Sequence, residues 1–385
     1  MMPDTGVPAS GDHPAVDVDW LVRRVAVHGL PAAPPIRDVL DAPLDDDRFG
    51  ELLRRTERHR VTGHFMDAVE SGALPATASQ AKQVAARHEA WCASMLLLER
   101  ELLQVVDRLE ANSIEVVVLK GSAAAHLGYP DPALRLFGDN DILVRSHQID
   151  RALHVLAAAG YARRSVPARP DFDRRFGKGA TLYSAASTEL DVHRSLVFGS
   201  FGFAVDLDEL WDATTTFRLA GRELTALDSD AALLHAMFHA ALGDAQPQLG
   251  VLRDLAQRTT SPAHDPERVV ALARRWRAMP VVKRAVSLLE AHLEVRVDGP
   301  IAVAAAAYRP TSTESRAVAS YVAADRSFTA MVLASLPYLP SMRERVAFLR
   351  AVAMPSTDFI ATRGIVGGLA WWRQGLRRLA RGGRR

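Results

Sequence analysis

Residues Val116–Val144 read VVVLKGSAAAHLGYPDPALRLFGDNDILV, and the fold turns on how this stretch is parsed. Val116–Leu119 is a short apolar, β-branched run that stops at Lys120-Gly121-Ser122. The alanine-rich Ser122–Leu127 that follows reads as a helix opening, whose first backbone N–H groups lack partners within the helix and suit a phosphate. Asp139-Asn140-Asp141-Ile142-Leu143-Val144 reads as a second strand. Side chains alternate along a strand, so Asp139 and Asp141 project from one face while Asn140 and Ile142 take the other. Two neighbouring carboxylates repel unless a cation lies between them. Magnesium, which takes hard oxygen ligands and admits substrate phosphates to its shell, fits that pattern.

Glu189-Leu190-Asp191-Val192-His193 alternates in the same way and puts Glu189, Asp191 and His193 on one face. Ala180–Ser184 can pair with it through a turn at Ala185–Thr188. Asp191 is therefore the candidate third carboxylate, and three are about the minimum for a pair of metal ions. Other polar residues carry two readings each. Lys120 either binds phosphate or leaves the strand end to pack and reach solvent. Arg135 either grips a triphosphate or pairs with Asp131 and Asp139 as scaffold. Lys178, between Gly177 and Gly179, either reaches a phosphate from a loop or is a surface lysine. His193 either meets the acceptor or nucleotide, or supports the carboxylates. His235 and His239 stand four apart on a helix without the glutamate of a zinc protease motif. They read as a packed side chain and as a cleft residue or partner of Asp254, respectively.

The sequence Leu119-Lys120-Gly121, then Arg135, then Gly138-Asp139-x-Asp141-Ile-Leu-Val, then Leu190-Asp191-Val192-His193 resembles a bacterial nucleotidyltransferase family known as uncharacterised, a branch of the DNA polymerase β-like superfamily. The resemblance extends over about Leu96–Leu255, through His239 and Arg253-Asp254 in the downstream helices. It implies an α+β fold: a small mixed β-sheet core flanked by N-terminal helices and a larger C-terminal helical region. It also implies transfer of a nucleoside monophosphate from a nucleotide triphosphate to an acceptor, with release of pyrophosphate. Carried over, the magnesium ligands are Asp139, Asp141 and Asp191, with two ions and manganese as a substitute, and the phosphate contacts are Gly121 and Ser122. The chain departs from most of the superfamily in beginning its turn with Lys-Gly instead of Gly-Ser or Gly-Gly. The rival readings are a catalytically inactive nucleotide-binding scaffold, a kinase-like phosphotransferase, and an enzyme modifying transfer RNA.

The chain has 385 residues, 48% of them hydrophobic, enough for two or three cored regions. Patterning divides it into a disordered start (1–16), an N-terminal helical region (17–111), a catalytic core (112–212), a helical domain (213–310) and C-terminal helices with a tail (311–385). A long helix is expected at Ser79–Ala111, and a linker or loop at Pro310–Ser315. The single cysteine, Cys92, excludes an internal disulfide framework and a cysteine-based zinc site. No apolar run is long enough to span a membrane and the start is unlike a secretory signal, so the expected compartment is the cytoplasm. A formal net charge of +2 does not call for a nucleic-acid partner, and the basic residues gather in the tail instead of near the cleft. In 360–385, Trp371 and Trp372 stand among seven arginines with no acidic residue after Asp358. That tail reads as a helix that lies on an anionic membrane, binds an acidic partner, or docks on the body.

Overall fold

Caps written in the sequence start the helices that precede the sheet. The Asp17 and Asp45 side chains accept N–H groups from the first turns of α1 (Val18–Val27) and α2 (Asp46–Arg58), and α3 (Thr62–Glu70) follows. Thr77 and Gln80 form a reciprocal capping box at the head of the 33-residue α4 (Ala78–Glu110), which delivers the chain to the sheet. The computed structural model describes residues 17–31, 33, 36, 40–324 and 326–362. The 1–16 start and the Trp/Arg tail beyond Thr362 lie outside the described residues.

Next come β1 (Val117–Val118), α5 (Ser122–Gly128), β2 (Asp139–Leu143), α6 (Ile149–Ala158), β3 (Ala162–Arg163), α7 (Phe172–Arg175), β4 (Gly179–Tyr183) and β5 (Glu189–His193). Short helices α8 (Ser200–Ala204) and α9 (Leu207–Asp212) lead into a hairpin of β6 (Thr214–Leu219) and β7 (Arg222–Leu227). Beyond it lie α10 (Ser229–Leu242), α11 (Leu249–Thr259), α12 (Pro266–Arg275), α13 (Met279–Leu293), α14 (Gly299–Ala307) and α15 (Ser312–Val322), then α16 (Phe328–Ser335), α17 (Met342–Ala353) and α18 (Thr357–Thr362).

The strands form one mixed sheet in the order β3-β4-β5-β2-β1-β7-β6. The α+β architecture is as expected, but the sheet is larger. It does not stop at residue 212: β7 runs parallel to β1, with Val118 opposite Ala226, so the hairpin belongs to the same sheet as β1 and β2 and not to the helices after it. The signal was present as two alternating hexamers around Ala220-Gly221, both at positive φ, a two-residue turn whose twist suits a hairpin. The stretch expected as a linker at Pro310–Ser315 is a short connection, because Thr311 and Glu314 form a capping box that starts α15.

Two apolar layers determine which sheet face is left for chemistry. Val116, Val118, Ile142, Val144, Leu190 and Val192 pack against Leu102, Val105, Val106 and Leu109 of α4 and against Ile149, Ala152 and Leu156 of α6. Asn140 points the same way, and its amide donates to the Leu98 carbonyl at 2.9 Å, tying β2 to α4. The alternate residues Asp139, Asp141, Asp191 and His193 therefore face away from α4 and α6. On that side a second core joins α1–α3 to α10–α13, so the N-terminal and C-terminal helices together build the wall opposite the carboxylates.

Candidate active site

β2 and β5 run parallel in a register that sets Asp139 beside Glu189, Asp141 beside Asp191 and Leu143 beside His193. Adjacent strands lie about 5 Å apart, so the two aspartates are neighbours because of backbone pairing alone. On the far side of β2, Leu119 N–H donates to the Asp141 carbonyl at 3.0 Å and carries Lys120 alongside the same residue. The turn then needs Gly121: its φ is +53°, and a Cβ there would come within 3.3 Å of the Asp139 carbonyl oxygen. The Lys-Gly-Ser turn and the Asp-x-Asp strand thus touch.

Asp141 is 2% exposed and holds two partners on one oxygen: Lys120 Nζ at 2.9 Å and His193 Nε2 at 2.8 Å from Oδ1. Burial opposes its ionisation, but Lys120 and His193 outweigh that and hold it well below the usual carboxylate range. Asp191 accepts from Thr181 at 2.5 Å and pairs with Lys178 Nζ at 3.3 Å. Burial again pushes upward, and His193, Lys178 and Thr181 together bring it below its ordinary value. Asp139 goes the other way: burial and the nearby Asp141 charge raise it, with Arg60 Nη1 3.9 Å away. His193 is kept below the ordinary imidazole value by burial and then by Lys178. Lys120 stays charged despite burial because the three aspartates surround it.

The metal-ligating geometry differs from the expected three aspartates. Asp141, Asp191 and His193 present ligand atoms within 4.8 Å of one another, and Asp139 is outside that group. The imidazole fits the role. His193 Nδ1 lies 3.3 Å from the Ser195 carbonyl, so a neutral ring with its proton there donates to Ser195 and leaves the Nε2 lone pair toward the carboxylates. With the proton on Nε2 it donates to Asp141 instead. Two carboxylates and this nitrogen suit one divalent cation; a second would draw on Asp139, next to Arg60.

Arg135 makes its ion pair with neither Asp131 nor Asp139. Its Nε and Nη2 both donate to Asp254 of α11, at 2.7 Å for the shorter contact, and Tyr129 Oη donates to the same carboxylate at 2.7 Å. Asp131 instead caps the turn at Ala133. The guanidinium fork is therefore taken up in a buried pair that fastens the β1–β2 connection to α11. Arg135→Ala is expected to remove about 3–5 kcal/mol of stability by leaving the buried Asp254 without its ion-pair partner, with Tyr129 alone still donating to it. Urea unfolding measures it, and a loss below about 1 kcal/mol would contradict the pair's structural role. The Ser122 hydroxyl is likewise engaged, donating to Glu99 of α4 at 2.7 Å, so only its backbone remains for a phosphate.

His239 lines the cleft and makes no hydrogen bond to Asp254. A cavity of about 40 Å³, walled by Arg60, His64, Tyr129, Arg135 and Gln248, shares His239 and Asp254 with one of about 20 Å³ lined by Lys120, Ala124 and His235. Burial, then Lys120, brings His239 down to about 3. Arg60, Glu99 and Thr181 are participants that the sequence reading missed. Thr181 was within reach, since hairpin register places it opposite Asp191. Arg60 had no local signal: it follows α2 at a positive φ of 57°, where the His59 carbonyl accepts Gly250 N–H from α11, and only tertiary packing brings it to Asp139.

No curated protein matches the chain. The crystal structure of an antigenic nucleotidyltransferase-like protein from Paracoccidioides brasiliensis is similar over 52% of this chain and 94% of that one, at 16% identity and a TM-score of 0.30, too loose a likeness to build on. The profile of a protein family described as uncharacterised nucleotidyltransferase matches residues 45–294, which takes in α2 through α13 and every residue of the site above. With well over half its length inside that match, the chain belongs to the uncharacterised nucleotidyltransferase family.

Proposed function

We propose that the protein transfers a nucleoside monophosphate from a nucleotide triphosphate to an acceptor hydroxyl, phosphate or amine on a small molecule, peptide or protein, releasing pyrophosphate. The observation that carries this reading is the parallel register of β2 and β5, which seats Asp141 against Asp191 beside the Lys120-Gly121-Ser122 turn. Asp141, Asp191 and His193 would hold a divalent cation, magnesium or manganese, and Asp139 would be the further ligand if a second is used. When bound, such a cation neutralises phosphate charge and makes an acceptor hydroxyl easier to ionise. The chain's own part is positioning. Gly121 permits the turn to approach β2, the Ser195 carbonyl accepts from the imidazole when its proton is on Nδ1, and Thr181 orients Asp191. Arg60, which reaches Asp139, and His239 line a small cavity beside the site, and we place the acceptor's approach there.

A second reading, a nucleotide-binding scaffold without turnover, draws support from Lys120 and Lys178, which already satisfy Asp141 and Asp191. One experiment separates the two. Thermal stabilisation by each of the four ribonucleotides with magnesium or manganese identifies the donor, and pyrophosphate release and acceptor mass follow with that donor. Pyrophosphate with a mass gain of a whole nucleotide supports the proposal. A gain of a lone phosphate means phosphoryl transfer, and stabilisation with neither product means a scaffold.

A further inference from the structure

The carboxylates carry their own counter-ions. Lys120 Nζ lies 2.9 Å from Asp141, Lys178 Nζ lies 3.3 Å from Asp191, and Arg60 Nη1 lies 3.9 Å from Asp139. Three acidic side chains are thus matched one for one by three basic ones. They come from three different places: the β1–α5 turn, the loop before β4 and the α2–α3 junction. Lys178 stands between Gly177 and Gly179, and Lys120 is at the strand end next to Gly121. Gly179 itself is forced by space, since a Cβ there would lie 2.0 Å from the Val192 carbonyl oxygen, so the lysine loop is pressed against β5 at the level of His193.

Resting on the function proposed above, we propose that Lys120 and Lys178 are exchangeable counter-ions that keep a bare divalent cation out of the Asp141–Asp191–His193 site and admit it together with a nucleotide triphosphate. A lone dication must displace two ammonium groups that then have no anionic partner. It also adds two positive charges to a balanced cluster, in a partly buried setting where charge is weakly screened. A cation bound to a triphosphate brings oxygens of its own, so each ammonium can pass from a carboxylate to a phosphate as the carboxylate turns to the metal. Both lysines then act on each ligand in turn: they oppose the metal when it comes alone and hold the nucleotide when it comes with the metal.

This gives the lysines opposite effects on two affinities, which a merely structural lysine or a plain phosphate ligand would not have. Manganese alone is titrated into full-length wild type, Lys178→Met and Lys120→Met by calorimetry, and the manganese complex of the donor nucleotide is titrated into the same proteins. Removing either lysine is expected to tighten manganese alone by at least about tenfold and to weaken the manganese–nucleotide complex by a similar factor. Lys178→Arg, which keeps the charge, is expected to stay near wild type in both. Should Lys120→Met fail to fold because Asp141 loses its buried partner, Lys178, whose side chain is 36% exposed, decides the matter. Unchanged or weaker manganese binding in the folded variants, with nucleotide binding intact in the wild type, overturns the counter-ion role and leaves the transferase reading standing. Absence of manganese–nucleotide binding in the wild type as well overturns both.

Discussion

Asp141→Asn is expected to lower pyrophosphate release by at least about a thousandfold, equivalent to about 4 kcal/mol of lost transition-state stabilisation. The amide keeps the size of the side chain and can still accept from Lys120 and His193, so the local packing survives. What it loses is the charge that a divalent cation needs in a shell completed by Asp191 and His193. Asp191→Asn is expected to act alike, because the two carboxylates are backbone neighbours and cannot replace each other. Glu189→Gln is the control. It shares the face and sits opposite Asp139, yet its carboxylate accepts from Tyr183 at 2.9 Å and is not part of the triad, so activity should stay within about twofold of wild type. Steady-state pyrophosphate release, with circular dichroism to confirm folding, reads all three. Wild-type turnover in a folded Asp141→Asn protein would remove this cluster from the chemistry.

Mild acid is expected to unfold the protein well before its carboxylates titrate. His64 and His235 are buried at 2% and 4% exposure, and burial, then neighbouring charges, holds both well below the ordinary imidazole value; His239 is down at about 3. The unfolded chain takes up a proton on each near pH 6.5, whereas the folded chain does not. Their folded values are depressed, so the folded state is not penalised above about pH 6.5 and loses ground as pH falls toward those values. Each proton is worth up to about 1.4 kcal/mol per pH unit, so the three together reach about 4 kcal/mol per unit. Asp141 and Asp191, with lowered values, add losses below the carboxylate range. Asp139 and Asp173, with raised values, oppose them only near that same range. Urea unfolding at pH 7.5, 6.5 and 5.5 should show the decline, and His64→Leu should lessen it by about one proton's share. A flat profile over that interval would mean that these imidazoles are not held neutral.

The parts of the site that were legible in the sequence are those fixed by short-range periodicity. Alternation alone put Asp139 with Asp141 and Asp191 with His193, and apolar periodicity placed the long helix at Ser79–Ala111, one residue from its observed Ala78–Glu110. Register between β2 and β5 was not legible, because a parallel pair is joined through a long crossover that leaves no local turn to fix it. The partners of the charged residues were the least legible. Lys120 and Arg135 each had two local readings, and the ion-pair partner of each came from tertiary packing, Asp141 in the first case and Asp254 from more than a hundred positions downstream in the second. His193 shared the face of Asp191 in the sequence, but only the fold brings its ring beside Asp141 as a candidate ligand. The Ser195 carbonyl that orients its ring is two residues away and was readable in principle.

The return of the chain to the sheet at Thr214–Leu227 has a consequence for how this protein can be divided. β1, which carries the Lys-Gly-Ser turn, is only two residues long and is sandwiched between β2 and β7. A fragment cut at the point where the carboxylate-bearing strands are already complete would strip one flank from that dipeptide and leave its backbone open to solvent or to another chain. The smallest self-sufficient piece therefore reaches at least to Leu227, and the wall across from the aspartates is inherited from both ends of the polypeptide.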